Sequence, residues 1–155
     1  PMDDQDRKTL QFLMLNGRGT WAELGELLGL SAPAAAERAR KLEADGAILR
    51  YAAIVDPEKL GLPLTAYVAV TIGDQRKRTK FLRLAEKHPQ IVECHHVAGE
   101  DDYLLKVRCR GTRDLDHFLS RTLKDGDLGI ARTRTTVVLA TAKETVHLPA
   151  TLTAE

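Results

Sequence analysis

Residues 17–51, GRGTWAELGELLGLSAPAAAERARKLEADGAILRY, hold two helical patterns separated by a glycine. Ala22, Leu24, Leu27 and Leu28 recur at the spacing of an amphipathic helix, and Gly29 follows where a left-handed C-terminal cap belongs. Ser31 then offers a side-chain oxygen to the free N–H groups of a new first turn, and Pro33 falls inside that turn, where a missing donor costs little. The spacing predicts a second helix running to Asp45, with Gly46 ending it. Ala35, Ala39 and Leu42 form its inward stripe, leaving Pro33, Ala34, Glu37, Arg38 and Lys41 outside or flanking it. This is the layout of a helix-turn-helix, and it points to DNA as the partner. Small residues followed by Arg38, Arg40 and Lys41 suit a helix that enters a major groove closely and then meets phosphates.

Upstream, Asp3 and Asp6 form a capping pair for a helix with Leu10, Leu13 and Met14 on one side, which makes a three-helix unit. Downstream, Ile48 to Val55 is short, apolar and β-branched, as a wing or linker strand would be. After Asp56-Pro57-Glu58-Lys59-Leu60-Gly61-Leu62-Pro63 the periodicity turns from helical to alternating, so the domain boundary is placed after Gly61, giving domains 1–61 and 62–155.

The second domain reads as strand Thr65 to Ile72, helix Lys77 to Lys87, strands Ile91 to Val97 and Tyr103 to Arg110, a helix marked by Leu115, Phe118, Leu119 and Leu123, and a last strand Ile130 to Thr141. That order is the split βαβ arrangement, an antiparallel sheet with two helices on one face, and the fold class is α+β. The other sheet face must meet solvent or a subunit, and apolar residues on both faces of Tyr67 to Ile72 and Val137 to Ala140 favour a symmetric homodimer.

The hydrophobic fraction of 43% is ordinary for a globular protein, and no apolar run reaches the length of a bilayer span. The start Pro1-Met2-Asp3-Asp4 is acidic where a secretory signal would be basic and then apolar, which predicts a cytoplasmic protein. Net charge is +1 overall, but residues 1–61 hold eight Lys and Arg against ten Asp and Glu. Arg38, Arg40, Lys41 and Arg50 are concentrated, whereas Asp3, Asp4 and Asp6 are expected at the opposite end of the unit. Tight DNA binding would then need more than one copy of the unit. A hairpin turning at residues 99–102 sets Cys94 opposite Lys106 or Val107 and Cys109 opposite Ile91 or Val92, so no disulfide is expected.

Glu93, Cys94, His95 and His96 include metal-binding residue types, yet strand alternation leaves two possible ligands per face, and no metal site or cofactor is expected. Neither a nucleophile elbow nor a phosphate-binding glycine loop is present, which argues against an enzyme. The turn Gly99, Glu100, Asp101, Asp102 and Tyr103 is more informative. Its carboxylates, phenol and glycine backbone could receive an amino acid, with Thr133 and Thr135 adding hydroxyls from one face of the last strand.

Together these segments closely resemble the Lrp/AsnC, or feast/famine, family of regulators. The match includes Asp6-Arg7-Lys8 with Leu10, Gly17-Arg18, Glu23-Leu24, Gly29-Leu30-Ser31, Arg38, Leu42-Glu43, Gly46-Ala47-Ile48, Tyr51, Gly61, Val92-Glu93-Cys94, Gly99, Asp102-Tyr103-Leu104-Leu105 and Lys143. The resemblance implies a winged helix-turn-helix joined to a ferredoxin-like effector and oligomerisation (RAM) domain, with dimers assembling to tetramers or octamers. It implies a transcription regulator binding double-stranded DNA, controlled by a small effector such as an amino acid bound between subunits. The DNA-facing candidates are Thr20, Ser31, Ala34, Glu37, Arg38, Lys41 and Arg50; the effector candidates are Gly99, Glu100, Asp101, Asp102, Tyr103, Thr133 and Thr135. Glu37 departs from the more basic recognition helices of the family and is expected to pair with Lys41 at i+4. Asp101 adds a third carboxylate to the turn, which suggests a cationic ligand such as lysine or arginine. The alternative to a sensing regulator is a ligand-independent architectural DNA-binding protein of the same fold.

Overall fold

Asp3 caps the first helix, α1 (Asp4–Leu15), through a reciprocal pair: its carboxylate accepts from the Asp6 N–H at 2.7 Å, and the Asp6 carboxylate accepts from the Asp3 N–H at 3.0 Å. Thr20 caps α2 (Trp21–Leu28) by accepting from the Glu23 N–H at 3.1 Å, and Gly29 ends it at φ 68°. Ser31 caps α3 (Ala32–Ala44), accepting from the Ala34 N–H at 3.3 Å. Leu24, Leu28 and Ala35 form the small core of this unit, with Phe12 and Leu30 against it. Two features of the packing escaped the periodicity. Ala36 is buried beside the expected stripe, and Thr9 is fully buried on α1, its hydroxyl donating to the Gln5 carbonyl at 2.8 Å.

Gly25 shows why a glycine sits inside α2. A Cβ there would lie 2.6 Å from the Leu30 carbonyl oxygen, so the turn packs against the helix backbone itself. The same carbonyl region closes the turn, with the Leu30 N–H donating to the Gly25 oxygen at 2.8 Å.

The computed structural model describes residues 1–150. The chain divides into one unit of Pro1–Ile54 with the segment from Lys143, and another of Val55–Ala142. That division falls earlier than the boundary read after Gly61. It also returns the segment after Lys143 to the N-terminal unit, where the Leu148 N–H meets the Met14 sulfur at 3.3 Å and Arg7 donates to the Ala150 carbonyl at 3.2 Å. Residues 151–155 of the second expected domain lie outside the described residues.

The strand expected at Ile48–Val55 is not formed among the described residues. A strand needs a ladder partner, and this segment has none among the described residues, leaving Leu49 88% and Ile54 76% exposed.

In the second unit the elements run β1 (Leu64–Ile72), a 3-10 turn (Gln75–Lys77), α4 (Arg78–Lys87), β2 (Ile91–His96), β3 (Tyr103–Cys109), α5 (Thr112–His117) continuing into a π-helical stretch (Phe118–Lys124), and β4 (Ile130–Val137). The sheet is antiparallel in the order β2-β3-β1-β4, which is the ferredoxin-like arrangement. Ala66, Val68, Val70, Leu105 and Val107 pack against Phe81 of α4 and Leu115, Phe118 and Leu123 of the other helix. The opposite face carries Tyr67, Ala69, Leu104 and Lys106, with Lys106 paired to Glu93 at 3.3 Å.

β4 ends at Val137 rather than Thr141. Its partner β1 runs out there: Val137 pairs with Ala66, the Val138 N–H makes a last bond to the Thr65 oxygen at 2.9 Å, and Leu139 is 97% exposed. Cys94 opposes Leu105 rather than Lys106 or Val107, one residue short of the nearer expectation, and a bulge between Ile91 and Glu93 pairs Ile91 with Val107. Both cysteines are free thiols. No described helix is long and apolar enough to cross a membrane.

Candidate functional site

α3 presents Pro33, Ala34, Glu37 and Lys41 to solvent. Ser31 and Thr20 are exposed too, but each hydroxyl is already an acceptor for a helix N–H. Glu37 pairs with Arg40 at 3.2 Å, not with Lys41 as expected. Lys41 and Arg50 are exposed and have no partner among the described residues.

Arg38 behaves differently. Its guanidinium is 2.7 Å from Asp6 and 2.9 Å from Asp3, and its side chain is only 26% exposed. The acids expected at the opposite end of the unit therefore meet the recognition helix directly. The Asp6 N–H, and then Arg38, hold the Asp3 carboxyl below the usual carboxylate range. Behind α3, the Tyr51 hydroxyl donates to Glu43 at 2.7 Å; burial and the Glu43 charge push its pKa up to about 12.

The turn at Gly99–Asp102 is built largely from its own partners. Asp101 is buried: its carboxylate accepts from the Thr71 hydroxyl at 2.8 Å, from Arg132 at 3.4 Å and from Arg134. Arg134 first, then Thr71, lowers its pKa. Asp102 accepts from the Ile72 N–H at 2.7 Å, and its own N–H donates to the Val70 oxygen at 2.9 Å. Tyr103 is buried, receives Arg78 Nε at 2.6 Å and stacks on His96. Within the turn Gly99 and Glu100 are exposed, and Glu100 pairs with Arg134 at 3.3 Å.

Two arginines therefore offset part of the negative charge of the three carboxylates in the turn. Thr133 and Thr135 share one face as expected, opposite Val70 and Val68, but that is the helix-covered side of the sheet. Asp101, Arg132 and Arg134 belong to the other side, so one chain does not bring the threonines and Asp101 together. Glu93 is 2.9 Å from His95, with Lys106 behind it, and no group of three metal-ligating side chains converges among the described residues.

Residues 2–43 match the AsnC-type helix-turn-helix domain, and residues 65–148 match the Lrp/AsnC ligand binding domain. The chain belongs to the Lrp/AsnC family. Similar Lrp/AsnC relatives include the HTH-type transcriptional regulator FL11 of Pyrococcus horikoshii, 34% identical over 96% of this chain and 97% of that protein. LrpA of Mycobacterium tuberculosis is 35% identical over 96% and 97%. A transcriptional regulator from Neisseria meningitidis, solved as a complex with L-Met, superposes with a TM-score of 0.91 at 34% identity, covering 96% of this chain and 97% of that one. The Lrp/AsnC chain described here is therefore a DNA-binding transcription regulator with a ligand-binding domain, and its family is not one of enzymes.

Sequence reading missed Arg132 and Arg134 as partners of the turn. Their alternation with Thr133 and Thr135 was visible, but their pairing with Asp101 across some thirty residues had no local signature.

Proposed function

We propose that this regulator binds its operator through the exposed N-terminal part of α3, with Pro33, Ala34 and Glu37 nearest the base edges and Lys41 and Arg50 on phosphates. The observation that carries this reading is the capped helix-turn-helix, whose second helix keeps that surface free of the rest of its unit. Ser31 and Thr20 lie beside it, and Arg38 supports the helix from behind. The protein acts in the cytoplasm as a homo-oligomer. The dimer forms through the sheet face bearing Tyr67, Ala69 and Leu104, half-buried residues on the side opposite the described helices of that unit.

The effector is of the amino-acid class and binds where the exposed Gly99 and Glu100 of one subunit meet β4 hydroxyls, Thr133 and Thr135, of a neighbour. The L-Met complex of the Neisseria meningitidis regulator supports that class. Supply of the two halves by different subunits accounts for their lying on different faces of one sheet. Differential affinity for two assembly states then changes DNA binding.

The test is a melting curve of the full chain against each of the twenty amino acids, followed by DNA titration with the strongest ligand. A ligand at about 100 times its Kd adds roughly 2.7 kcal/mol. A selective rise with a changed DNA affinity supports sensing; a flat panel with broad DNA binding supports the architectural alternative.

A further inference from the structure

The positive charge of the second unit is gathered on one helix. Residues 74–87 hold six Lys and Arg against two acids, whereas the rest of residues 55–142 hold nine against ten. Arg76 is committed to Asp74 at 3.0 Å, Arg78 to the Tyr103 hydroxyl at 2.6 Å, and Lys77 to Asp127, which Lys80 also approaches at 3.6 Å. Arg83 and Lys87 are exposed and have no ion pair among the described residues.

Lys80, Arg83 and Lys87 fall at i, i+3 and i+7 of α4, in one narrow stripe over about 10 Å of helix axis. Phe81 and Ala85 are buried on the other side, and Glu86 falls beside the stripe rather than in it. The helix lies on the side of the sheet away from Tyr67, Ala69 and Leu104, so a dimer through that face leaves the stripe open.

This surface suits a polyanion with regularly spaced charges, and duplex DNA is one: each Lys or Arg that meets a phosphate releases a condensed counterion. A lipid surface fits poorly, since Leu82 at 39% is the one large apolar side chain that α4 exposes. The first unit also lacks cations, for residues 1–61 hold an excess of acids and Arg38 of α3 is turned onto Asp3 and Asp6. We infer that the α4 stripe meets the phosphate backbone of DNA outside the segment bound by α3, adding affinity that carries no sequence information. DNA held by α3 presents its flanks at high effective concentration, so a few cations suffice. The inference rests on the α3 reading for that tethering alone.

The experiment measures binding of the full-length protein by fluorescence anisotropy over several salt concentrations. Its probes are a short duplex selected from a random-sequence pool and the same duplex extended on both sides by arbitrary sequence. The parent is expected to bind the extended duplex more tightly. Arg83→Gln with Lys87→Gln is expected to weaken binding to the extended duplex about tenfold and to lower its salt slope by about two, with the short duplex bound as by the parent. Arg121→Gln with Lys124→Gln removes the same charge from the π-helical stretch and is expected to bind both duplexes as the parent does. No loss on the extended duplex, or an equal loss by the Arg121 and Lys124 pair, overturns the α4 contact. A loss of the same size on both duplexes overturns its placement outside the α3 segment. The α3 reading fails on a different result, short-duplex binding left unchanged by Lys41→Ala.

Discussion

The Arg38 guanidinium lies 2.7 Å from the Asp6 carboxylate, so the central cation of α3 is turned toward the start of α1. On the proposed reading Arg38 acts as a positioning residue that ties α3 to the start of α1. Arg38→Gln is expected to cost about 1 kcal/mol of stability, between the values of exposed and buried pairs. Arg38→Gln and Asp6→Asn should each weaken DNA binding, and the double variant should lose less than the sum of the two. Tighter DNA binding by Asp6→Asn, measured by fluorescence anisotropy, would instead show Arg38 released onto a phosphate.

Lys41 and Arg50, exposed and without an ion pair among the described residues, are proposed to meet the DNA backbone. Lys41→Ala is expected to weaken binding about tenfold across unrelated sequences and to reduce the salt slope of log K by about one. A titration over several salt concentrations checks this, and an unchanged slope removes Lys41 from the interface.

The turn before α3 depends on two glycines for different reasons. Gly29 at φ 68° has open space around it, so Gly29→Ala should cost about 1 kcal/mol through backbone strain alone. Gly25→Ala would drive a methyl group against the Leu30 carbonyl, and should cost about 2 kcal/mol or more. Urea unfolding of both variants gives the order, and equal losses would refute the close approach.

His88 supplies a pH response. Burial against Phe118 lowers its pKa, and its Nδ1 accepts the Gln90 N–H at 3.3 Å, which favours the neutral ring. A folded pKa below the unfolded value means the contribution is present above about pH 6.5 and is lost as pH falls through the folded pKa. Between about pH 7.5 and about pH 5.5 the parent should lose more Tm than His88→Leu does. Parallel losses would assign the acid sensitivity to other groups.

The helices and caps were legible because each rests on a local signature: Asp3 with Asp6, Thr20 before Trp21, Gly29 and then Ser31. The sheet order followed from alternation and element sequence. The site was harder to read, because its charges are paired over long separations. Asp101 reads locally as a turn carboxylate and Arg38 as a cation outside or flanking the inward stripe, while their partners, Arg132 and Arg134 for Asp101 and Asp6 for Arg38, lie more than thirty residues away. Register depends on the turn and on bulges, which explains the one-residue shift opposite Cys94.

The bonds from Arg7 to Ala150 and from Leu148 to Met14 place part of the first unit after the whole of the second in chain order. Because synthesis runs from the N-terminus, α1 is made before the second unit and its partner segment from Lys143 after it. Until the segment from Lys143 has been made, α1 is without these two contacts, so this part of the first unit closes only after the intervening unit exists.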